Sequence, residues 1–265
     1  MNDRARKWDD LKARVTTALV LLLVAGYAIW VGGTWFVALL ALAAAVMIWE
    51  LVCMVSPTQS KLAVVLGVLA TVWAWVFWQG SGLLGISSLL VAPIVGVFLL
   101  RDGKAVFLMY GLAVVLGCMA LAITRFNFGT VPLLWLLGVV VGTDISGYFV
   151  GRYLGGPKFW PRISPKKTWS GTIAGWVAAA AIGAIFVVSF GFERQFILLS
   201  VLVSMASQFG DIIESAIKRS MDVKDSSGLL PGHGGVLDRF DGMVGAGLLT
   251  MIVILPMGAF TPVSN

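Results

Sequence analysis

The run "GTIAGWVAAAAIGAIFVVSF", residues 171–190, carries no charged side chain in twenty positions. As a helix rising about 1.5 Å per residue it reaches ~30 Å, the thickness of the hydrocarbon layer of a bilayer. Runs of this kind recur at about 15–31, 34–55, 62–78, 83–100, 106–123, 131–151, 195–217 and 239–260. Of 265 residues, 59% are hydrophobic and 12% charged, about half the charged share of a soluble domain, and mean hydropathy is +0.95. The expectation is an all-α, polytopic integral membrane protein with about nine transmembrane helices. A soluble fold would need polar helix faces that these runs lack. The first run follows the basic segment "RARKWDDLKAR" (4–14). It is long for a signal-peptide core and has no clear small-x-small cleavage site, so a retained helix is expected.

Orientation follows from the basic residues. With the N-terminus in the cytoplasm and nine alternating spans, one side holds seventeen of the nineteen Lys and Arg residues. These are Arg4, Arg6, Lys7, Lys12, Arg14, Lys61, Arg101, Lys104, Arg152, Lys158, Arg162, Lys166, Lys167, Lys218, Arg219, Lys224 and Arg239; only Arg125 and Arg194 fall opposite. Such asymmetry marks the cytoplasmic face. The net charge of +6 is therefore read as basic loops meeting anionic membrane lipids, with no nucleic-acid partner. Short loops and the lack of appended domains point to a bacterial inner membrane. Residues 1–130 are expected to form about five spans, and 131–265 a catalytic transmembrane region with two cytoplasmic connectors, about 152–170 and 218–238. Cys53 and Cys118 read as small apolar residues. Gly147 with Gly151, and Gly171 with Gly175, have the small-xxx-small spacing of close helix contacts; packing within the chain is the first reading and a homodimer face the second.

Carboxylates inside apolar runs are costly and mark function by default. Asp144 sits in "VVVGTDISGYFVGR", Asp211 and Glu214 in "SQFGDIIESAIKR", and Asp238 and Asp241 open the last run. Asp211, Glu214, Ser215 and Lys218 share one helical face at i, i+3, i+4 and i+7, as do Asp238 and Asp241 at i, i+3. If the second connector folds back, Asp211, Asp238 and Asp241 meet, and a divalent cation relieves their repulsion. Oxygen-only ligands favour Mg²⁺ over zinc, and a second cation would suit an in-line displacement. The plainer reading makes Asp238 and Asp241 servants of a helix N-terminus and pairs Glu214 with Lys218.

Around these carboxylates lie "RISPKKTWSG" with Arg162, Lys166 and Lys167, and "IKRSMDVKD" with Lys218, Arg219 and Lys224. Two such basic loops beside the glycines of "GLLPGHGG" suit polyphosphate, with Gly234 and Gly235 letting backbone N–H groups approach the oxygens. His233, the sole histidine, is expected to contact phosphate and not to act as a base. Ser164, Thr168 and Ser215 offer hydroxyls to phosphate or to local turns.

The stretch "SAIKRSMDVKDSSGLLPGHGGVLDRFD", Ser215 to Asp241, resembles the signature of the phosphatidate cytidylyltransferases, also called CDP-diacylglycerol synthases. It holds their serine, Lys-Arg, Lys-Asp, His-Gly-Gly and closing Asp-Arg and Asp. "GTDISGYFVGR" and "RISPKKTWSG" are also similar to family blocks, and the likeness covers about residues 140–245. It implies the reaction CTP + phosphatidate → CDP-diacylglycerol + pyrophosphate with Mg²⁺, and metal-binding carboxylates matching Asp211, Asp238 and Asp241. Lys166, Lys167, Lys218, Arg219 and Arg239 are candidates to grip the two phosphate-bearing substrates. The rival expectations are a CTP-dependent lipid kinase or other nucleotide-lipid transferase, and a cation transporter with Asp144 and Asp211 on its pathway.

Overall fold

A computed structural model describes residues 3–79 and 87–257, and side chains from Arg14 onward apart from that of Trp78. Helices α1 (Asp3–Val31), α2 (Gly33–Val55), α3 (Ser60–Leu69), α4 (Val72–Trp78), α5 (Val91–Leu99) and α6 (Lys104–Phe128) come first. Helix α7 (Thr130–Leu154) leads into a hairpin of β1 (Lys158–Trp160) and β2 (Ser164–Thr168), and α8 (Trp169–Phe190), α9 (Gln195–Ser220) and α10 (Leu237–Leu249) follow. The chain is helical as expected, save for this two-stranded hairpin in the first connector.

Among the described residues, seven helical stretches are long and apolar enough to cross a membrane: Arg14–Val31, Gly33–Val55, Pro57–Phe77, Lys104–Phe128, Thr130–Leu154, Trp169–Phe190 and Gln195–Ser220. Their outward sides are apolar, with Val188 85% and Leu22 70% exposed, as lipid contact requires. The chain is a membrane protein. The expected spans at 83–100 and 239–260 are not among the seven. In the first, the described helix is only Val91–Leu99, and 80–86 lie outside the described residues. In the second, α10 gives way after Leu249 to a π turn, Thr250–Ile254, and 258–265 lie outside the described residues.

The contacts divide the chain into two units that do not follow its order. One is Met1–Val115 with Met221–Phe240, the other Leu116–Ser220 with Asp241–Asn265. In the first unit α2 forms the core: Ala44, Met47, Ile48, Leu51 and Val52 are wholly buried, and Gly67 of α3 lets that helix lie against the Ala45 carbonyl.

In the second unit small residues set how closely α7, α8 and α9 pack. A Cβ on Gly171 would lie 2.5 Å from the Gly147 carbonyl oxygen and 3.3 Å from Gly151 Cα. One on Gly175 would lie 2.9 Å from the Thr143 side chain. The two small-xxx-small pairs thus face each other within the chain. Polar stitches complete the packing: Thr143 Oγ1 donates to Ser204 Oγ (2.8 Å), Trp135 Nε1 to Ser200 Oγ (2.8 Å), and Trp176 Nε1 to Gln208 Oε1 (2.9 Å). In a medium without water, such bonds and close backbone approach replace the hydrophobic drive between helices. Helix α7 ends where Gly155 takes φ 64°, a left-handed conformation that glycine adopts without a Cβ clash, and the chain turns into the hairpin.

Gly171→Val should therefore wedge α7 from α8 and cost about 1–3 kcal/mol of stability, as overpacking does. Gly26→Ala, which meets nothing within 4 Å, should stay within about 0.5 kcal/mol of the parent. Thermal unfolding of both variants in detergent checks the contrast.

Candidate active site

The close α7–α8 crossing and the hairpin leave a cavity of about 750 Å³ in the second unit, reaching α9. That volume lies in the range of small-molecule sites. Helix α7 contributes Asp144, Tyr148 and Arg152, the hairpin Lys158, Lys166 and Lys167, and α9 Gln208 and Asp211. Four cations and two carboxylates thus line one cavity. Arg152 is held by its own helix, its Nη1 donating to Tyr148 Oη at 2.7 Å. Sequence reasoning had not singled out Arg152, Lys158, Tyr148 or Gln208 as site residues; for the first three the signal available was their place at the polar end of α7 and within the first connector, and for Gln208 its place on the polar stretch of α9 beside Asp211.

Thr168 closes β2 and caps α8, its Oγ1 accepting from Gly171 N at 3.2 Å. Its hydroxyl serves the helix start, the local alternative weighed for it. The first turn of α8 borders the cavity through Thr168, Gly171 and Thr172, and a helix N-terminus favours anions. Lys166 is exposed beside it, and Ser164 pairs with Trp160 in the hairpin register.

Asp211 is the best-defined acid of the cavity. Its Oδ2 lies 2.5 Å from Lys167 Nζ, both side chains about a quarter to a third exposed (26% and 30% for Lys167 and Asp211), and its Oδ1 accepts from Ser215 Oγ at 3.2 Å. The predicted stripe on α9 therefore resolves into two couples, Asp211 with Ser215, and Glu214 with Lys218. The latter pair is an i, i+4 salt bridge of 2.5 Å, with Glu214 fully buried and Lys218 nearly so. Breaking such a buried pair from one side is costly, so Lys218 has a structural partner in place. Arg219 and Lys224 are exposed.

Asp241 stands beside this group. A Cβ on Gly210 would strike the Asp241 carbonyl oxygen and lie 3.0 Å from Gly245 N, so α9 and α10 touch backbone to backbone at Asp211's neighbour. The carboxylate of Asp241 accepts from Gly242 N at 2.7 Å and lies in the fields of Asp211, Asp144 and Lys218. Within the second unit, then, Asp144 and Asp211 line the cavity, and Asp241 lies within the electrostatic reach of both. Among the described residues no three His, Cys, Asp or Glu side chains are close enough to enclose one ion. The donor set is all oxygen, which suits a hard cation such as Mg²⁺ that keeps several waters and phosphate oxygens as ligands.

The signature loop belongs to the first unit. Asp238 Oδ2 accepts from Ser226 N (2.9 Å), Ser226 Oγ (2.9 Å) and Gly235 N (2.7 Å). The Gly235 N–H, expected to face phosphate, is directed at Asp238 here. Gly234 has φ 80°, and a Cβ there would meet Asp238 Oδ2 at 2.6 Å. Leu230 and Gly234 form a bridge with Leu230 N donating to Gly234 O at 2.8 Å. His233 Nδ1 is 3.4 Å from Pro231 O, and its carbonyl accepts from Arg239 Nε at 3.0 Å. Glu50, near the C-terminal end of α2, is wholly buried and accepts four bonds from this loop. Sequence reasoning passed over Glu50, although an acid within an apolar run is itself a signal.

Known proteins are similar to this chain in sequence. The model of the cytidylyltransferase family matches residues 12–256. The phosphatidate cytidylyltransferase of Brucella abortus biovar 1 (strain 9-941) is 35% identical over 272 residues, covering 91% of this chain and 92% of that protein. Those of Bacillus subtilis (strain 168) and Helicobacter pylori (strain J99 / ATCC 700824) are 43% and 44% identical over 43% and 49% of this chain, and over 44% and 48% of their own lengths. A polar cavity between apolar helices, bordered by lysines and aspartates, is thus joined to likeness over nearly the whole chain, which belongs to the cytidylyltransferase family.

Proposed function

We propose that this protein transfers the cytidylyl group of CTP to phosphatidate, giving CDP-diacylglycerol and pyrophosphate for phospholipid synthesis. The observation that carries the reading is the cavity in which the Lys167–Asp211 pair faces Arg152, Lys158 and Lys166. A polyanion entering there meets four cations and the start of α8. Full-length likeness to proteins named phosphatidate cytidylyltransferase supplies the identity of the nucleotide and the lipid.

Lys166 and Lys167, with Arg152 and Lys158, bind the triphosphate and orient its α-phosphorus. A phosphatidate phosphate oxygen attacks that phosphorus in line; the new P–O bond forms as the bond to the β-phosphate's bridging oxygen breaks, and pyrophosphate leaves. The nucleophile is already an anion, so no base is required, and catalysis is positioning and charge stabilisation. Lys167 exchanges its Asp211 partner for phosphate oxygen as the substrate binds. Asp211 and Asp241, with Asp144 in the same field, are the residues that would hold Mg²⁺, which when bound supplies positive charge to the phosphates. The acyl chains remain in lipid along the exposed apolar side of α7, where Phe149 and Tyr153 project. The N-terminus and both polar connectors lie on the cytoplasmic side of a bacterial inner membrane, with the chain crossing nine times so that the basic residues stay together.

With α-labelled CTP, phosphatidate and Mg²⁺, label should pass into the organic phase and pyrophosphate should appear. CDP as product would instead indicate a lipid kinase, and ion flux without lipid labelling a transporter. Excess EDTA should abolish turnover; unchanged turnover would remove the cation from the scheme.

Lys167→Ala and Asp241→Asn should each lower kcat by about a hundredfold or more, the scale of losing one charge-stabilising contact. Extraction and melting temperature in detergent should remain near those of the parent for Lys167→Ala, since its side chain is partly exposed.

A further inference from the structure

Glu50 lies in the last turns of the apolar helix α2, and the donors of the four hydrogen bonds noted above come from one distant segment. Its Oε1 accepts from Ser227 Oγ (2.6 Å) and Val236 N (2.9 Å), and its Oε2 from Leu237 N (2.7 Å) and Ser226 Oγ (3.3 Å). Leu237 N is the first amide of α10 and Val236 N the one just before it, groups that a helix leaves without internal partners. A carboxylate from another helix thus caps α10, where negative charge is also favoured.

The clamp extends to the next acid. Ser226 Oγ is shared between Glu50 and Asp238 Oδ2, which also takes Ser226 N and Gly235 N. A Cβ on Gly235 would overlap both Ser226 Oγ and Glu50 Oε1, so this glycine is there to let the loop close onto the buried acid. An uncompensated buried carboxylate is strongly unfavourable, which ties the whole segment 226–237 to one conformation.

We infer that Glu50 is a positioning residue for the transfer reaction, holding the loop 226–237 and the start of α10, the helix that carries Asp241. This rests on the cytidylyltransferase reading above. Glu50 acts only through the loop and touches no substrate.

The test uses the full chain in detergent micelles and compares Glu50→Gln with the parent by hydrogen exchange and by kinetics. The amide keeps the shape but turns one acceptor oxygen into a donor facing other donors. Exchange in 226–237 should accelerate by about tenfold while the hairpin 158–168 and α8 stay protected, a local opening. The kcat should fall by about 10–100-fold, as loss of an outer-shell partner does, with KM for CTP changed by less than about threefold. Ser226→Ala/Ser227→Ala, which leaves the buried acid in place, should give the same pattern at smaller size and decides the matter if Glu50→Gln does not fold. Unchanged exchange in the loop, unchanged kcat in both variants, or loosening of hairpin and loop together would overturn the inference. An inactive parent would overturn the reaction assignment instead, and the exchange result would still decide whether Glu50 holds the loop.

Discussion

Glycine-lined contact between α7 and α8 is the constraint on which the second unit depends. Without side chains at Gly147, Gly151 and Gly171 the two backbones come within van der Waals reach. That proximity fixes where the hairpin returns from α7 to α8, the hairpin whose Lys167 reaches Asp211. Lipid provides no hydrophobic pressure to force helices together. Shape and hydrogen bonds must do it, and here glycines, serines and threonines do both. The Thr143–Ser204 and Trp135–Ser200 bonds bind α7 to α9, and Gln208 reaches both Trp176 and the Thr172 carbonyl of α8.

A polar cavity within such a bundle needs its charges balanced before substrate arrives. Lys167 and Asp211 balance one another at the surface of the cavity, where both retain contact with water and can exchange partners. Glu214 and Lys218 balance one another in the interior, where exchange would leave a bare charge in a poor solvent. Helix α9 therefore supplies the acid of one couple suited to chemistry, and a turn further on carries both members of another suited to architecture. Asp241 joins the first through the backbone contact between Gly210 and α10.

In the first unit the organising feature is again an acid, but one that serves backbone amides. Glu50 and Asp238 divide the polar hydrogens of the signature loop between them. The glycines of "GHGG" then have two distinct uses. Gly232 and Gly234 take positive φ, and Gly235 makes room for the acids. A motif whose composition suggests phosphate binding is, in this conformation, engaged with carboxylates of the protein.

Seven of the nine apolar runs were legible in the chain as helices long enough to span, and so were the acids within them, because helix length and the cost of charge in lipid act locally. So was the pairing of Glu214 with Lys218, a matter of helical spacing. The resemblance of Ser215–Asp241 carried the family. Four results needed tertiary structure. The hairpin at 158–168 arises from pairing across a turn; the choice of Lys167 for Asp211 depends on how that hairpin lies over α9. The facing of Gly147 and Gly151 with Gly171 fixes which of two packing readings applies. The union of Glu50 with residues nearly two hundred positions later is the fourth. Each is a contact between segments remote in sequence, and spacing along one helix contains no information about which other helix will stand opposite.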